Sequence, residues 1–162
     1  DKGHEDIAFI MTSKDDTVLE RERLSGYEKA LTENNIKLDE SLIKYGGTTY
    51  EAGYESMKEI LEEGKVPHAA FVTGDEAAIG AINAACDKGY KVPEDISVAG
   101  FNDVKIAKMY RPKLTTVYQP LYDMGAVAIR MVIKLINKEH LESKKIELPY
   151  KIIERESVIP RK

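Results

Sequence analysis

Apolar residues follow two textures along this chain. Short solid runs occur at residues 7–11 (IAFIM), 69–73 (AAFVT) and 96–100 (ISVAG). Runs of that length without alternation mark strands covered on both faces. Between them lie longer stretches with apolar residues three and four apart, the spacing of one helical face. The first such helix runs to about residue 33, with Leu24, Tyr27, Ala30 and Leu31 on one side. Thr17 with Glu20 forms a capping box at its start. Gly26 is unusual mid-helix, and a close approach to the sheet would explain it. Residues 42–45 form a brief strand, and Gly46-Gly47 turn the chain. Thr48 with Glu51 opens a helix over 49–63, buried through Ala52, Met57, Ile60 and Leu61.

The third helix, 76–88, is Ala-rich, with Asp75 at its N-cap and Gly89 at its stop. Strand, helix and strand over 69–103 predict a parallel pair with a right-handed crossover. Both strands then end on one edge of the sheet, with Gly74-Asp75 beside Asn102-Asp103. In open parallel sheets that edge binds ligands. Further on, 104–110 is a short helix or loop stopped by Arg111-Pro112, and 114–118 is extended. A helix over 121–137 carries a wide apolar stripe: Met124, Val127, Ala128, Met131, Val132 and Leu135. Residues 138–145 are a polar loop, and 146–156 a final strand broken at Pro149. The expected fold class is α/β, a doubly wound parallel sheet.

The helix at 121–137 has few sheet partners in this chain, and the polar lead at 1–6 enters the first strand abruptly. Both point to a piece of a larger protein. A length of 162 residues holds one ordinary core. The net charge of −4, without a basic stripe, argues against direct nucleic-acid binding by this stretch. No run approaches a membrane span. Three scattered histidines and one cysteine give no metal spacing. The lone Cys86 excludes an internal disulfide, suits a reducing cytoplasm and reads as a packing residue.

Candidate chemistry lies in the strand-end loops: 13–16, 46–49, 73–76 and 102–103. Asp75, Thr48 and Asp16 or Thr17 also read simply as helix caps. Gly46-Gly47-Thr48-Thr49 could cradle a phosphate on backbone N–H groups, but it lacks the lysine and spacing of a P-loop and reads better as a plain turn. No nucleophile elbow, acidic metal cluster or G-x-G-x-x-G is present, so no cofactor is expected and the chain reads as non-enzymatic. The third helix is apolar nearly all round. One side faces its sheet, and the other, Ala78, Ala81, Ile82 and Ala85, is expected to meet a second subunit.

Five segments taken together resemble the effector-binding core of LacI/GalR-type transcriptional regulators. They are Gly3-His4 with Ile7-Ala8-Phe9-Ile10, Arg23-Leu24-Ser25-Gly26-Tyr27, the run from Phe71 through Asp75 to Ala81, Val92-Pro93 through Gly100-Phe101, and Arg111-Pro112-Lys113-Leu114-Thr115-Thr116-Val117. The helix starting Tyr122-Asp123-Met124-Gly125 is similar to the catabolite-control branch of that family. The resemblance implies a periplasmic-binding-protein-like core of two subdomains. Residues 1–114 would belong to the C-terminal subdomain and 115–138 to the N-terminal one. Residues 139–162 would be the return strand and tail. It implies a small sugar or sugar phosphate as effector, contacted by Arg23, Thr73, Asp75, Asn102 and Asp103. Gly74 and Asn102 depart from the family's usual Asn and Asp, and Asn102 cannot supply a full negative charge. The resemblance also implies a cytoplasmic homodimer that binds DNA only through a helix-turn-helix elsewhere. Its coregulator would be serine-phosphorylated HPr, at Tyr122, Asp123, Arg130 and Lys151. A sugar-binding protein of the transport class, with the same fold, is the alternative.

Overall fold

A computed structural model describes residues 2–12 and 18–161. The expected capping box of Thr17 with Glu20 and the 13–16 loop lie outside the described residues. The elements are β1 (Ile7–Met11), α1 (Val18–Glu33), β2 (Ile43–Tyr45), α2 (Tyr50–Glu62), β3 (Ala69–Val72), α3 (Asp75–Asp87), β4 (Ser97–Asn102), α4 (Lys105–Met109), β5 (Thr115–Tyr118), α5 (Leu121–Ile136) and β6 (Lys151–Ile153). One sheet runs in the order β2-β1-β3-β4-β5-β6. Its first five strands are parallel, and β6 returns antiparallel to β5. The last strand is therefore much shorter than the 146–156 span that its β-branched residues indicate.

Alternation along the buried strands divides the core. Ala8, Ile10, Ala70, Val72 and Val98 point towards α2 and α3, where Met57, Ile60 and Ile82 meet them. Phe9 and Met11 point the other way, onto Tyr27 and Leu31 of α1. Phe9 stacks on Tyr27 and Phe71 with centroids 4.7 and 5.6 Å apart. Each such side chain, fully withdrawn from water, contributes roughly 1.5–3 kcal/mol.

The second face of α3 is covered from within the chain. Ala78, Ala81, Ile82 and Ala85 are all 0% exposed. A subunit interface through them is corrected accordingly: they have no surface left to give. What covers them is α2, at a crossing that only small residues permit. A Cβ on Gly53 would stand 1.9 Å from the Ala77 carbonyl oxygen, and one on Gly80 1.9 Å from that of Tyr50. The alanine content of α3 serves this intramolecular contact. Gly26, by contrast, has nothing within 4 Å of its would-be Cβ, so no close helix–sheet approach explains it.

Two caps fall one residue from where the pattern puts them. Thr49, not Thr48, caps α2, its hydroxyl accepting from the Ala52 N–H at 3.3 Å. Gly74, not Asp75, is the N-cap of α3. Helix α5 has no buried residue, and its apolar stripe lies open. Beyond β6, residues 154–161 cross the amino edge of the sheet. Ser157 donates to the Val98 carbonyl at 2.6 Å and accepts from the Thr115 N–H at 2.8 Å. Arg161 N–H donates to Lys2 O at 2.7 Å, which ties this tail to the segment entering β1.

Candidate functional site at the carboxyl edge of the sheet

The parallel strands deliver Thr12, Thr73 and Asn102 to one edge, and α1 rises beside them. Glu20 sits in the first turn of α1 on its inward face, four and seven residues before Leu24 and Tyr27-side contacts. It is 6% exposed. Thr12 Oγ1 donates to Glu20 Oε1 at 2.5 Å, and Arg23 Nη1 donates to the same oxygen at 3.0 Å. The Thr12 and Thr73 hydroxyls lie 3.4 Å apart. The Arg23 guanidinium covers the Phe101 ring, 4.7 Å from its centroid, so the ring quadrupole also favours the cation. Arg23 Nε is buried and has no hydrogen-bond partner among the described residues. Arg23 also stands at the head of an open groove of about 820 Å3 that passes Gly26, Tyr27, Phe71 and Phe101 on the α1 side of the sheet.

Two of the expected effector contacts are tied into the fold itself. Asp75 is 2% exposed. Its Oδ1 accepts from Thr116 Oγ1 at 2.6 Å and its Oδ2 from the Val104 N–H at 2.7 Å. Burial pushes its carboxyl above the ordinary range, against the pull of those bonds. A residue pinned this way joins α3 to the β4–α4 turn and to β5. Both of its oxygens are engaged within the fold, which gives the expected effector contact a structural role beside it. Asp103 is likewise spoken for. Its Oδ1 accepts from Arg155 Nη2 at 2.6 Å, with side chains 6% and 12% exposed. Lys108 Nζ lies 3.5 Å from Oδ2. Arg155 also donates to the Leu114 carbonyl at 2.7 Å.

Those two clamps act on the loop that carries Asn102. Asn102 and Asp103 both have positive φ, 108° and 55°, a conformation that costs about 1 kcal/mol or more outside glycine. Asp75 and Arg155 hold the loop there from opposite sides. Asn102 stays half-buried. The edge therefore brings together Arg23, Thr73 and Asn102, with Thr12, which the pattern did not single out, and Glu20, which it read only as half of a capping box. A carboxylate in the inward heptad position of α1, three residues before an arginine, was the available signal. Arg155 had no comparable signal, because its partner lies 52 residues away.

Gly46-Gly47 is not a phosphate cradle. Both N–H groups donate to the Met11 carbonyl, at 3.0 and 3.2 Å. Tyr122, Asp123 and Arg130 all lie exposed on α5. Asp123 and Arg130 are seven residues apart and share one side of the helix. Arg130 Nε donates to its own helix, to Ala126 O at 3.1 Å. Lys151 is on β6, its ammonium 5.3 Å from the Tyr118 ring centroid. Among the described residues no group of three or more His, Cys, Asp or Glu could hold a metal ion, and no helix is long and apolar enough to cross a membrane.

Residues 1–158 match the periplasmic binding protein-like domain family. Catabolite control protein A of Priestia megaterium is 41% identical over 157 residues, 97% of this chain and 47% of that protein. The HTH-type transcriptional regulator RegA of Clostridium saccharobutylicum is 46% identical over 158 residues, 98% of this chain and 48% of its own length. The chain thus spans about half of the curated relatives it matches. Among solved structures, the transcription regulator CcpA of Lactococcus lactis superposes with a TM-score of 0.88 at 42% identity, over 96% of this chain and 56% of that one. A sugar-binding transcriptional regulator of the LacI family from Escherichia coli, complexed with phosphate, gives 0.88 at 36%, over 99% and 57%. The lac repressor dimer bound to operator gives 0.87 at 30%, over 97% and 54%. The chain belongs to the periplasmic binding protein-like domain family, on the branch carried by LacI-type transcriptional regulators.

Proposed function

We propose that this chain is the regulatory half of a LacI-type transcription regulator of the catabolite-control kind, working in the cytoplasm by binding rather than by catalysis. A small sugar-class effector docks at the edge formed by Arg23, Thr73 and Asn102. Serine-phosphorylated HPr docks on Tyr122, Asp123 and Arg130 of α5, with Lys151 on the margin. DNA contact belongs to a helix-turn-helix elsewhere in the protein. The boundary expected after residue 114 moves, because β5 and β6 pair into the same sheet as β1–β4: residues 2–118, with 151–161, form one subdomain. Helix α5 packs onto the other, which would cover its open stripe. The protein is a homodimer, as the lac repressor relative is. Its contact runs through the exposed groups beside α3, Tyr50 and Met109, rather than through the buried alanines.

The observation that carries the coregulator reading is Arg130. It is exposed, it faces the same way as Asp123, and it forms no ion pair among the described residues. A guanidinium in that state is suited to a phosphoserine, which it can grip with charge-assisted bonds. The test is titration of the full-length protein with phosphorylated and unphosphorylated HPr. Tight binding of the phosphorylated form alone, weakened about tenfold or more by Arg130→Ala, is expected. Equal affinity for both forms would overturn the coregulator reading. Sedimentation of the same preparation as a monomer would overturn the homodimer.

A further inference from the structure

His68, immediately before β3, holds the start of β1. Its Nδ1 accepts from the backbone N–H groups of Glu5 and Asp6, at 3.3 and 3.1 Å. Its Nε2 lies 3.0 Å from Asp6 Oδ2. A ring nitrogen that accepts carries a lone pair, and one that meets a carboxylate carries the proton. Both nitrogens are therefore assigned, and the ring is the neutral Nε2–H tautomer. A second proton has one place to go, Nδ1, and there it would point at two N–H groups. Charging the ring and keeping both backbone bonds exclude one another. Water reaches the ring: its side chain is 19% exposed, and it lines an open groove of about 490 Å3 with His4, Tyr90, Asp95 and Arg161.

The segment that His68 pins carries the tail. Lys2 Nζ pairs with Glu154 Oε2 at 3.0 Å, Lys2 O accepts from the Arg161 N–H at 2.7 Å, and His4 Nε2 donates to the Ile159 carbonyl at 2.9 Å. Asp6 O, by contrast, accepts from the His68 and Ala69 N–H groups at 2.7 and 3.2 Å, bonds that continue the β1–β3 ladder without the ring. Charged groups face the ring from several elements. Asp6 favours a charged ring, but its side chain is 63% exposed and water weakens the attraction. Asp95 accepts from the Lys91 N–H at 2.8 Å, and Lys65 pairs with Asp39 at 3.2 Å. Glu5, Glu94 and Arg161 stand in solvent, which screens them. Tyr90 brings a phenol, and His4 can donate to Ile159 O in either charge state. We propose that His68 is a proton-sensitive pin at the amino edge of the sheet. Neutral, it fastens residues 2–6 and, through them, the tail at 159–161. Charged, it frees both while the sheet stays folded. The opened segment takes the extra proton and the closed one does not, so opening grows as pH falls.

The test is native-state hydrogen exchange of the full-length protein at about pH 7.5 and about pH 5.5, on either side of the histidine range, with each rate referred to the intrinsic rate at that pH. In wild type the Glu5, Asp6 and Arg161 amides are expected to lose about tenfold or more of their protection at the lower pH, while the Ala69 and Ser97 amides keep theirs. His68→Asn places an amide oxygen where Nδ1 stands, an acceptor that no proton removes in this range, and is expected to keep the entry protected at both pH values. Asp6→Asn removes the attraction that favours a charged ring in place, and the opening is expected at a less acidic pH. His4→Gln can still donate to Ile159 O and is expected to respond as wild type does. Equal protection of the entry at both pH values in wild type overturns the inference. So does a wild-type loss of protection in His68→Asn. Where His68→Asn does not unfold cooperatively, the Asp6→Asn protein decides, and an opening pH unchanged from wild type overturns the inference.

Discussion

Tyr27 and Arg155 show how single buried polar groups set conditions on this fold. Tyr27 is 8% exposed, and its hydroxyl donates to the Ile7 carbonyl at 2.8 Å. Burial, with Asp39 and Glu28 adding to it, pushes its pKa up from 10 to about 12. The folded state thus holds the proton more tightly than the unfolded state. The stability this gives is complete below about pH 10 and is lost as pH rises through about 12. In an ultraviolet titration the last tyrosine to ionise should disappear in Tyr27→Phe, and that variant should show a shallower loss of stability above pH 10. Arg155 works through charge. Arg155→Met leaves the Asp103 carboxylate enclosed without its main partner, and a loss on the order of 3–5 kcal/mol is expected from urea denaturation. Arg155→Met combined with Asp103→Leu should recover much of it. A double variant no more stable than the single one would show that the pair does not act as a unit.

At the scale of elements, the crossing of α2 and α3 is the most demanding contact. Gly53→Ala or Gly80→Ala places a methyl group against a backbone carbonyl of the other helix. The helices must part, and a loss of about 3 kcal/mol is expected. Gly26→Ala meets open space in α1 and should gain about 0.5–1 kcal/mol from helix propensity alone. Denaturant midpoints of the three variants separate these effects. The same elements show what a sequence pattern can carry. Strands β1, β3 and β4 and helices α1, α2, α3 and α5 are legible because solid apolar runs and 3.6-residue periods are local. The solid apolar character of α3 is equally legible, but what covers it is not. Periodicity registers that two faces are buried and is silent on whether a neighbour from the same chain or another subunit buries them. The ties of Asp75 are hidden for a related reason: an acidic residue at a strand end reads alike whether it faces a ligand or donors from its own chain.

At the scale of the whole molecule, this stretch is a closed unit with one open flank. The sheet, α2, α3 and the tail at 154–161 seal one another, whereas α5 buries nothing. Local stability should follow that division. In native-state hydrogen exchange on residues 1–162 alone, α3 amides are expected to approach global protection and α5 amides to exchange within the fast, locally opening class. In the full-length protein α5 should become protected. Fast exchange of α5 in both would argue against a second subdomain packing on it. The edge at Arg23, Thr73 and Asn102 is built on the sealed part, held by Asp75 and Arg155 through side chains more than 40 residues apart in sequence. These long-range ties were the part of the site least visible in the sequence, since hydrogen-bond partners across a sheet leave no periodic trace.

The meeting of Lys2 and Arg161 has a practical consequence. Both ends of the described stretch emerge at the amino edge of the sheet, and the candidate ligand edge is at the opposite end of the strands. A fluorophore, a surface tether or an inserted reporter domain joined at residue 2 or 161 would therefore leave the Arg23 edge facing away from the attachment. The same neighbourhood permits a short linker between those two positions, with new ends opened in an exposed loop such as 138–145.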